Sequence, residues 1–123
     1  MWKFRKGERK DIWDEEIQWP VGDIEAAHRI RDICRSAAEC AGKAAGATEK
    51  KNPETDRYER AARTAMEIAM KISDDLLRDS SVRQIVSLCV TANDLKTARI
   101  LLRAIGAVSI REDALNDHPM LRQ

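Results

Sequence analysis

One apolar pattern occurs twice in this chain, thirty-three residues apart, and it restricts the possible folds more than any other feature. The two copies are Ala65, Ala69 and Ile72, and then Ala98, Leu102 and Ile105. Steps of four and three residues place side chains on one face of an α-helix, and a repeat of this length is typical of helical hairpins. The pattern therefore predicts an all-α protein, and it favours binding to other proteins over catalysis.

Four helices are predicted, arranged as a compact antiparallel four-helix bundle built from two helical hairpins. The first helix begins near Asp23, whose carboxylate is expected to cap the first turn, and it ends at Gly46. Asn52 and Pro53 then suit the cap and the first position of the second helix. Matched apolar faces and a short connection predict that these two helices pair as a hairpin.

The third and fourth helices are predicted over about 81–92 and from 93 or 94 to 106. The third is apolar around most of its circumference, so we expect it to be buried on several sides. Ser81 and Gln84 are expected to form a capping box at its start. The residues that follow the fourth helix, 107–110, are expected to be extended.

The first twenty residues differ from the rest of the chain and form a predicted N-terminal aromatic arm. This arm holds four of the five aromatic side chains, namely Trp2, Phe4, Trp13 and Trp19. Residues 1–10 carry five basic side chains and one acidic one, whereas 11–23 carry five acidic side chains and no basic one. Two interpretations stay open: the arm caps the bundle, or it docks on a partner, a role that suits the large and rigid tryptophan side chain.

The domain organisation that follows is an arm over 1–20, a helical domain over 21–110 and a flexible C-terminal tail over 111–123. The net charge is +1, which indicates neither a nucleic-acid nor a membrane partner. No apolar run approaches the roughly 20 residues of a membrane span. Three cysteines, an odd number, argue against a disulfide framework, and we expect a cytoplasmic protein.

Part of the second half resembles a tetratricopeptide-type helical repeat. The stretches that carry the resemblance are 65–72, 82–86 and 92–99. Such repeats often turn through a small residue, then Asp-Leu, then Ala three positions on, as at Asp94, Leu95 and Ala98, although Asn93 stands where Gly is usual. The resemblance covers residues 60–106, and it implies a protein-binding surface without catalytic residues. Because a solenoid needs about three repeats, a closed bundle or a dimer that completes the stack is expected.

The histidines raise two further possibilities. Glu25 and His28 form the i,i+3 carboxylate–imidazole pair of di-iron bundles, but His28 points away from the apolar face, so we predict no metal and no cofactor. An outward His28 on a four-helix bundle also resembles a histidine phosphotransfer domain, although Asp32 stands where that family has Gly. No set of nucleophile, base and acid can be assembled, and we expect no enzymatic activity.

A second alternative is DNA binding, with helices three and four as a helix-turn-helix. Lys96, Arg99 and Arg103 share one side of the fourth helix and could meet phosphates. The main prediction is a non-catalytic protein-interaction or regulatory subunit that binds another protein or a second copy of itself as a homodimer. Its expected contacts are Trp2, Phe4, Trp13 and Trp19, with Ile100, an apolar residue off the inward face of helix four, as a receiving position.

Overall fold

The computed structural model describes residues 11–48 and 52–122, and in these ranges the chain forms helices and no β-strand. The predicted all-α class is confirmed. The described residues form five α-helices: α1 (Asp23–Ala45), α2 (Pro53–Ala69), α3 (Asp75–Thr91), α4 (Leu95–Ala104) and α5 (Val108–Asp117). Short 3-10 helices over Ile12–Asp14 and Pro119–Arg122 precede and follow them.

The helices are arranged around α1 and α3. Helix α1 packs along both α2 and α3, while α4 and α5 pack against α3. The largest fully buried side chains come from several elements, so a single core joins them: Ile30 of α1, Ile68 of α2, Ile85 and Val86 of α3, and Ile72 and Ile105 of the connections. The pairs α1–α2 and α3–α4 therefore lie side by side through the α1–α3 contact.

The first helix has the predicted bounds, but the predicted cap is wrong. Gly22 is the N-cap residue of α1, and no side chain caps this end. The Asp23 carboxylate instead accepts hydrogen bonds from the Ser73 amide (3.1 Å), the Ser73 hydroxyl (2.8 Å) and the Asp74 amide (2.9 Å). These bonds tie the α2–α3 connection to the start of α1. They favour the ionised carboxylate, the Ser73 amide most of all, and so lower the pKa of Asp23.

The start of α2 is confirmed, whereas α3 begins earlier than predicted. Asn52 caps α2 by accepting the Glu54 amide at 2.8 Å, with Pro53 as the first helical residue. Asp74 caps α3 in the same way, and the helix therefore begins at Asp75 rather than near 81. The predicted capping box at Ser81 is wrong, because Ser81 is buried in the middle of this helix.

The C-terminal region departs most from the prediction. Helix α4 begins as expected, with Asp94 accepting the Thr97 amide at 3.2 Å. Residues 107–110, predicted to be extended, instead start α5, because the buried Asp79 carboxylate accepts the Ala107 amide at 2.9 Å and fixes the turn. Ala114 and Leu121 are buried, so the expected flexible tail over 111–123 is packed against the core in the part that the structure describes.

Candidate functional site

Residues 11–22, here called the strap, run along α2 before α1 begins. At one end, Arg57 donates from Nε and Nη2 to the two carboxylate oxygens of Asp11, at 3.2 and 2.7 Å. One turn further along α2, Arg60 donates to Asp14 at 2.6 Å. Paired donors on a carboxylate fix orientation as well as charge, so these contacts hold the strap in one register.

Trp13 is the residue of the strap that belongs to the core. Its side chain is only 4 % exposed, and the Arg57 guanidinium lies 5.8 Å from the ring centroid. The 3-10 helix that carries Trp13 packs on both α1 and α2. Trp13 is therefore enclosed, and a partner protein could make the predicted contact with it only by displacing the side chain from the core.

Trp19 lies at the other end of the strap and is 40 % exposed. The Lys71 ammonium stands 5.0 Å from its ring centroid, in a cation–π arrangement. A groove of about 340 Å³ opens beside the ring, between the strap and α2. A smaller groove of about 160 Å³ lies on the α1 side of the strap, and the two share Glu15, Ile17, Thr64 and Ile68.

The charges around these two grooves are of both signs. Glu15 of the strap, Glu67 of α2 and Asp32 of α1 supply carboxylates. Arg29 of α1 and Lys71 beyond α2 supply the cations. We call the exposed surface formed by Ile12, Trp19 and these charged residues the strap face. Its mixture of apolar and oppositely charged groups suits contact with a protein of similar composition.

The other predicted contact residues are not brought together. Trp2 and Phe4 lie outside the described residues. Ile100 is 52 % exposed on α4, as its position off the inward face predicts, but α4 packs on α3 while the strap lies on α1 and α2. The described part of the arm and Ile100 therefore belong to different surfaces.

The residues of the two alternative functions are placed as follows. Lys96 and Arg103 are exposed on α4, whereas Arg99 is partly buried and donates from Nη2 to the Met120 carbonyl at 3.1 Å. Arg99 thus holds the C-terminal segment against α4, and the predicted basic strip retains two free side chains. His28 is exposed on the outer side of α1, as predicted.

A third groove, of about 390 Å³, lies between α1 and α3 and was not predicted from the sequence. Its lining residues, which define the α1–α3 groove, are Arg31, Cys34, Arg35 and Ala38 from α1, and Gln84, Ser87, Leu88 and Thr91 from α3. One signal was present: Arg31 has no acidic residue three or four positions away on either side. A helical arginine without an acidic residue at these positions has no partner for an ion pair along its own helix, and its guanidinium group is available to bind another group.

Within residues 11–48 and 52–122, no three His, Cys, Asp or Glu side chains are grouped to hold a metal ion. None of the helices in this part of the chain is both long enough and apolar enough to cross a bilayer. Comparison of the chain with protein-family models, curated proteins and solved structures finds no match. The resemblance to tetratricopeptide-type repeats accordingly rests on the residues quoted above.

Proposed function

We propose that this protein is a small non-catalytic protein-interaction or regulatory subunit, and that it associates with a second copy of itself through the strap face. The observation that carries the proposal is Trp19, a large aromatic side chain that is two-fifths exposed at the edge of an open groove. Tryptophan dominates binding energy at many interfaces because it buries a large area at little cost in conformational entropy.

The charges of the strap face argue for a second copy as the occupant. In a two-fold symmetric dimer the same patch meets itself, so each charge needs an opposite charge within the same patch. The strap face meets this requirement, with Glu15 and Glu67 near Lys71 on one groove and Asp32 near Arg29 on the other. A partner of strongly basic or acidic character would leave half of these charges unmatched.

The finer architecture belongs to the same proposal. We propose a four-helix bundle of two hairpins, and the α1–α2 and α3–α4 packing supports the two hairpins while the α1–α3 packing supports their association. The exposed Ile100 on α4 is the position at which another chain could extend this stack. Trp2 and Phe4 remain expected contacts of the same arm.

The three cysteines are free thiols, which supports the proposed cytoplasmic location.

The two alternative functions are less well supported. DNA binding through α4 would rely on Arg99, which is engaged by the Met120 carbonyl. A phosphotransfer role would rest on His28, and Asp32 one turn away would repel a phosphoryl group. Among residues 11–48 and 52–122, no contact favours either role over self-association.

Light scattering tests the proposal by giving the molar mass across a range of protein concentrations. We expect the full chain to form a dimer, and Trp19→Ala to weaken dimerisation by at least about tenfold, since interface tryptophans are worth more than about 1.4 kcal/mol. Val108→Ala, which changes an exposed side chain away from the strap, is the matched control. A full chain that is monomeric throughout, or an equal effect of both variants, would contradict the proposal.

A further inference from the structure

The α1–α3 groove differs from the strap face in its charge. Its lining contains two arginines and no acidic residue, whereas both grooves of the strap face contain carboxylates. The arginines stand on the α1 side, and the α3 side offers the neutral polar side chains of Gln84, Ser87 and Thr91. The groove is therefore a cationic surface on a protein whose net charge is only +1.

The two arginines of this groove have no ion-pair partner in the described part of the chain. Most guanidinium groups elsewhere are engaged, for example Arg29 with Glu25 at 3.3 Å and Arg78 with Asp75 at 2.7 Å. Arg31 and Arg35 stand four residues apart on α1, a spacing at which like charges destabilise a helix by about 0.2–0.5 kcal/mol. A bound anion between the two guanidinium groups would remove this small repulsion.

The acidic residues nearest in sequence do not neutralise this pair. Asp32 lines the groove on the other side of α1, next to Arg29. Glu39, one turn after Arg35, is paired with Lys43 at 3.3 Å. Within the described residues no carboxylate forms an ion pair with Arg31 or Arg35, so both guanidinium groups are available to a carboxylate of another molecule.

Between the polar walls, the groove has an apolar strip made by Cys34, Ala38 and Leu88. Burial raises the pKa of the Cys34 thiol to about 12, so the thiol stays neutral and adds no negative charge at physiological pH. An occupant of this groove is thus offered an apolar contact in the middle and two cations along one edge. That combination selects an amphipathic acidic segment over a free ion.

From these observations we infer that the α1–α3 groove binds an acidic helical segment of another protein, with two carboxylates spaced four residues apart facing Arg31 and Arg35. Side chains four residues apart on one helix are about 6 Å from each other. The two carboxylates of such a segment therefore have the same spacing as the two arginines, and each carboxylate can pair with one guanidinium group. The molecule already contains a related contact between helices, in which two carboxylates four residues apart, those of Asp113 and Asp117 of α5, lie 3.7 and 2.6 Å from a single arginine, Arg83 of α3.

An acidic protein segment fits this groove better than a nucleic acid. Nucleic-acid affinity comes from many phosphate contacts, and the groove offers two cations with an apolar strip between its walls. The inference is independent of self-association, because the strap face lies on the α1–α2 side of α1 and this groove on the α3 side.

Fluorescence anisotropy with a labelled helical peptide tests the inference. The peptide carries glutamates four residues apart and leucines on the adjoining face, and its counterpart has glutamine in place of every glutamate. We expect the glutamate peptide to bind the full chain, and Arg31→Ala and Arg35→Ala each to weaken binding by about tenfold, because each removes a charge-assisted hydrogen bond. Arg63→Ala and Arg103→Ala, which change exposed arginines outside the groove, are the matched controls.

Four results would overturn the inference. They are equal binding of the glutamine peptide, equal losses in the control variants, no binding up to about millimolar peptide, and tight binding of a DNA duplex with the same dependence on Arg31 and Arg35. Repeating the titration on Trp19→Ala separates this inference from self-association, since the expected peptide affinity is unchanged in that variant. Circular dichroism verifies that each arginine variant keeps its helix content.

Discussion

At the scale of single residues, Asn93 shows how one backbone angle ends a helix. It joins α3 to α4 with a φ of 59°, the left-handed region, which asparagine tolerates better than other non-glycine residues. In this conformation its amide donates to the Val90 carbonyl and the next amide, that of Asp94, donates to the Cys89 carbonyl at 2.8 Å. The turn thus satisfies the last carbonyls of α3 while it places Asp94 to cap α4.

Replacement of Asn93 by alanine should lower the free energy of unfolding by about 1 kcal/mol, because a Cβ without a compensating side-chain hydrogen bond is disfavoured at this angle. Asn93→Gly should leave stability unchanged or raise it slightly, since glycine adopts positive φ without a steric cost. Urea denaturation measures both values. Equal losses in the two variants would show that the asparagine side chain, and not the backbone angle, matters here.

Residue types alone predicted some caps and missed others, for a physical reason. Asn52 caps the helix that directly follows it, so local sequence was sufficient to identify it, whereas for α4 the sequence left the start open between 93 and 94, and Asp94 is the cap. Asp23 also precedes a helix, yet its carboxylate accepts hydrogen bonds from a connection fifty residues away. A carboxylate binds whichever amides the tertiary structure presents, and the sequence around Asp23 contains no information about Ser73.

At the scale of elements, the Asp23 contact joins the start of α1 to the α2–α3 connection and gives stability a defined pH dependence. Because folding lowers the pKa of Asp23 below 3.8, its contribution is complete above the unfolded-state value and is lost as the pH falls through the lower folded-state value. Asp23→Asn should therefore reduce stability at neutral pH. In this variant the expected fall in stability below about pH 4 should also be less steep than in the unaltered chain. Thermal denaturation from pH 2 to 7 measures this, with Glu59→Gln, an exposed carboxylate, as the control. An unchanged acid slope would be inconsistent with the assigned bonds.

The long, strongly periodic helices were predictable, and α5 was not. In α1, the buried residues Ala26, Ile30, Ile33, Ala37 and Cys40 recur at steps of four and three, so the sequence pattern reports the packed face directly. Helix α5 spans ten residues and fully buries only Ala114, with Ile110 and Leu115 half-buried beside it, so its apolar face is too short to indicate a helix from sequence. Its position comes from Asp79, from the Arg83 ion pairs and from a 2.9 Å hydrogen bond between Ser87 and His118.

The packing of the C-terminal segment has a direct test in the neighbouring residues Met120 and Leu121. Leu121 is buried, so Leu121→Ala should lower the free energy of unfolding by about 2–5 kcal/mol through lost contacts and the cavity left behind. Met120 is 42 % exposed, and Met120→Ala should have little effect. Chemical denaturation gives the free energy of unfolding of both variants. A small effect of Leu121→Ala would mean that this segment contributes little to the stability of the fold.

At the scale of the whole molecule, the strap links the core to the proposed interface. Trp13 and Trp19 are six residues apart in one irregular segment, but Trp13 is enclosed between α1 and α2 while Trp19 remains exposed. The clustering of aromatic residues indicated that the arm matters, yet it could not separate these two roles. That separation depends on Arg57 and Arg60 of α2, which bind Asp11 and Asp14 of the strap. The partners in each pair are 46 residues apart in sequence.

The proposed division between a core tryptophan and an interface tryptophan is tested most directly by two quantities, the unfolding free energy and the solution molar mass. Both are measured for Trp13→Ala and Trp19→Ala. The expected result is opposite for the two variants. Trp13→Ala should lose about 3–5 kcal/mol of stability, as large-to-small changes in a core do. Trp19→Ala should keep the stability of the isolated chain and weaken dimerisation by at least about tenfold. A Trp19→Ala protein that still dimerises like the unaltered chain, or a Trp13→Ala protein of unchanged stability, would contradict the account.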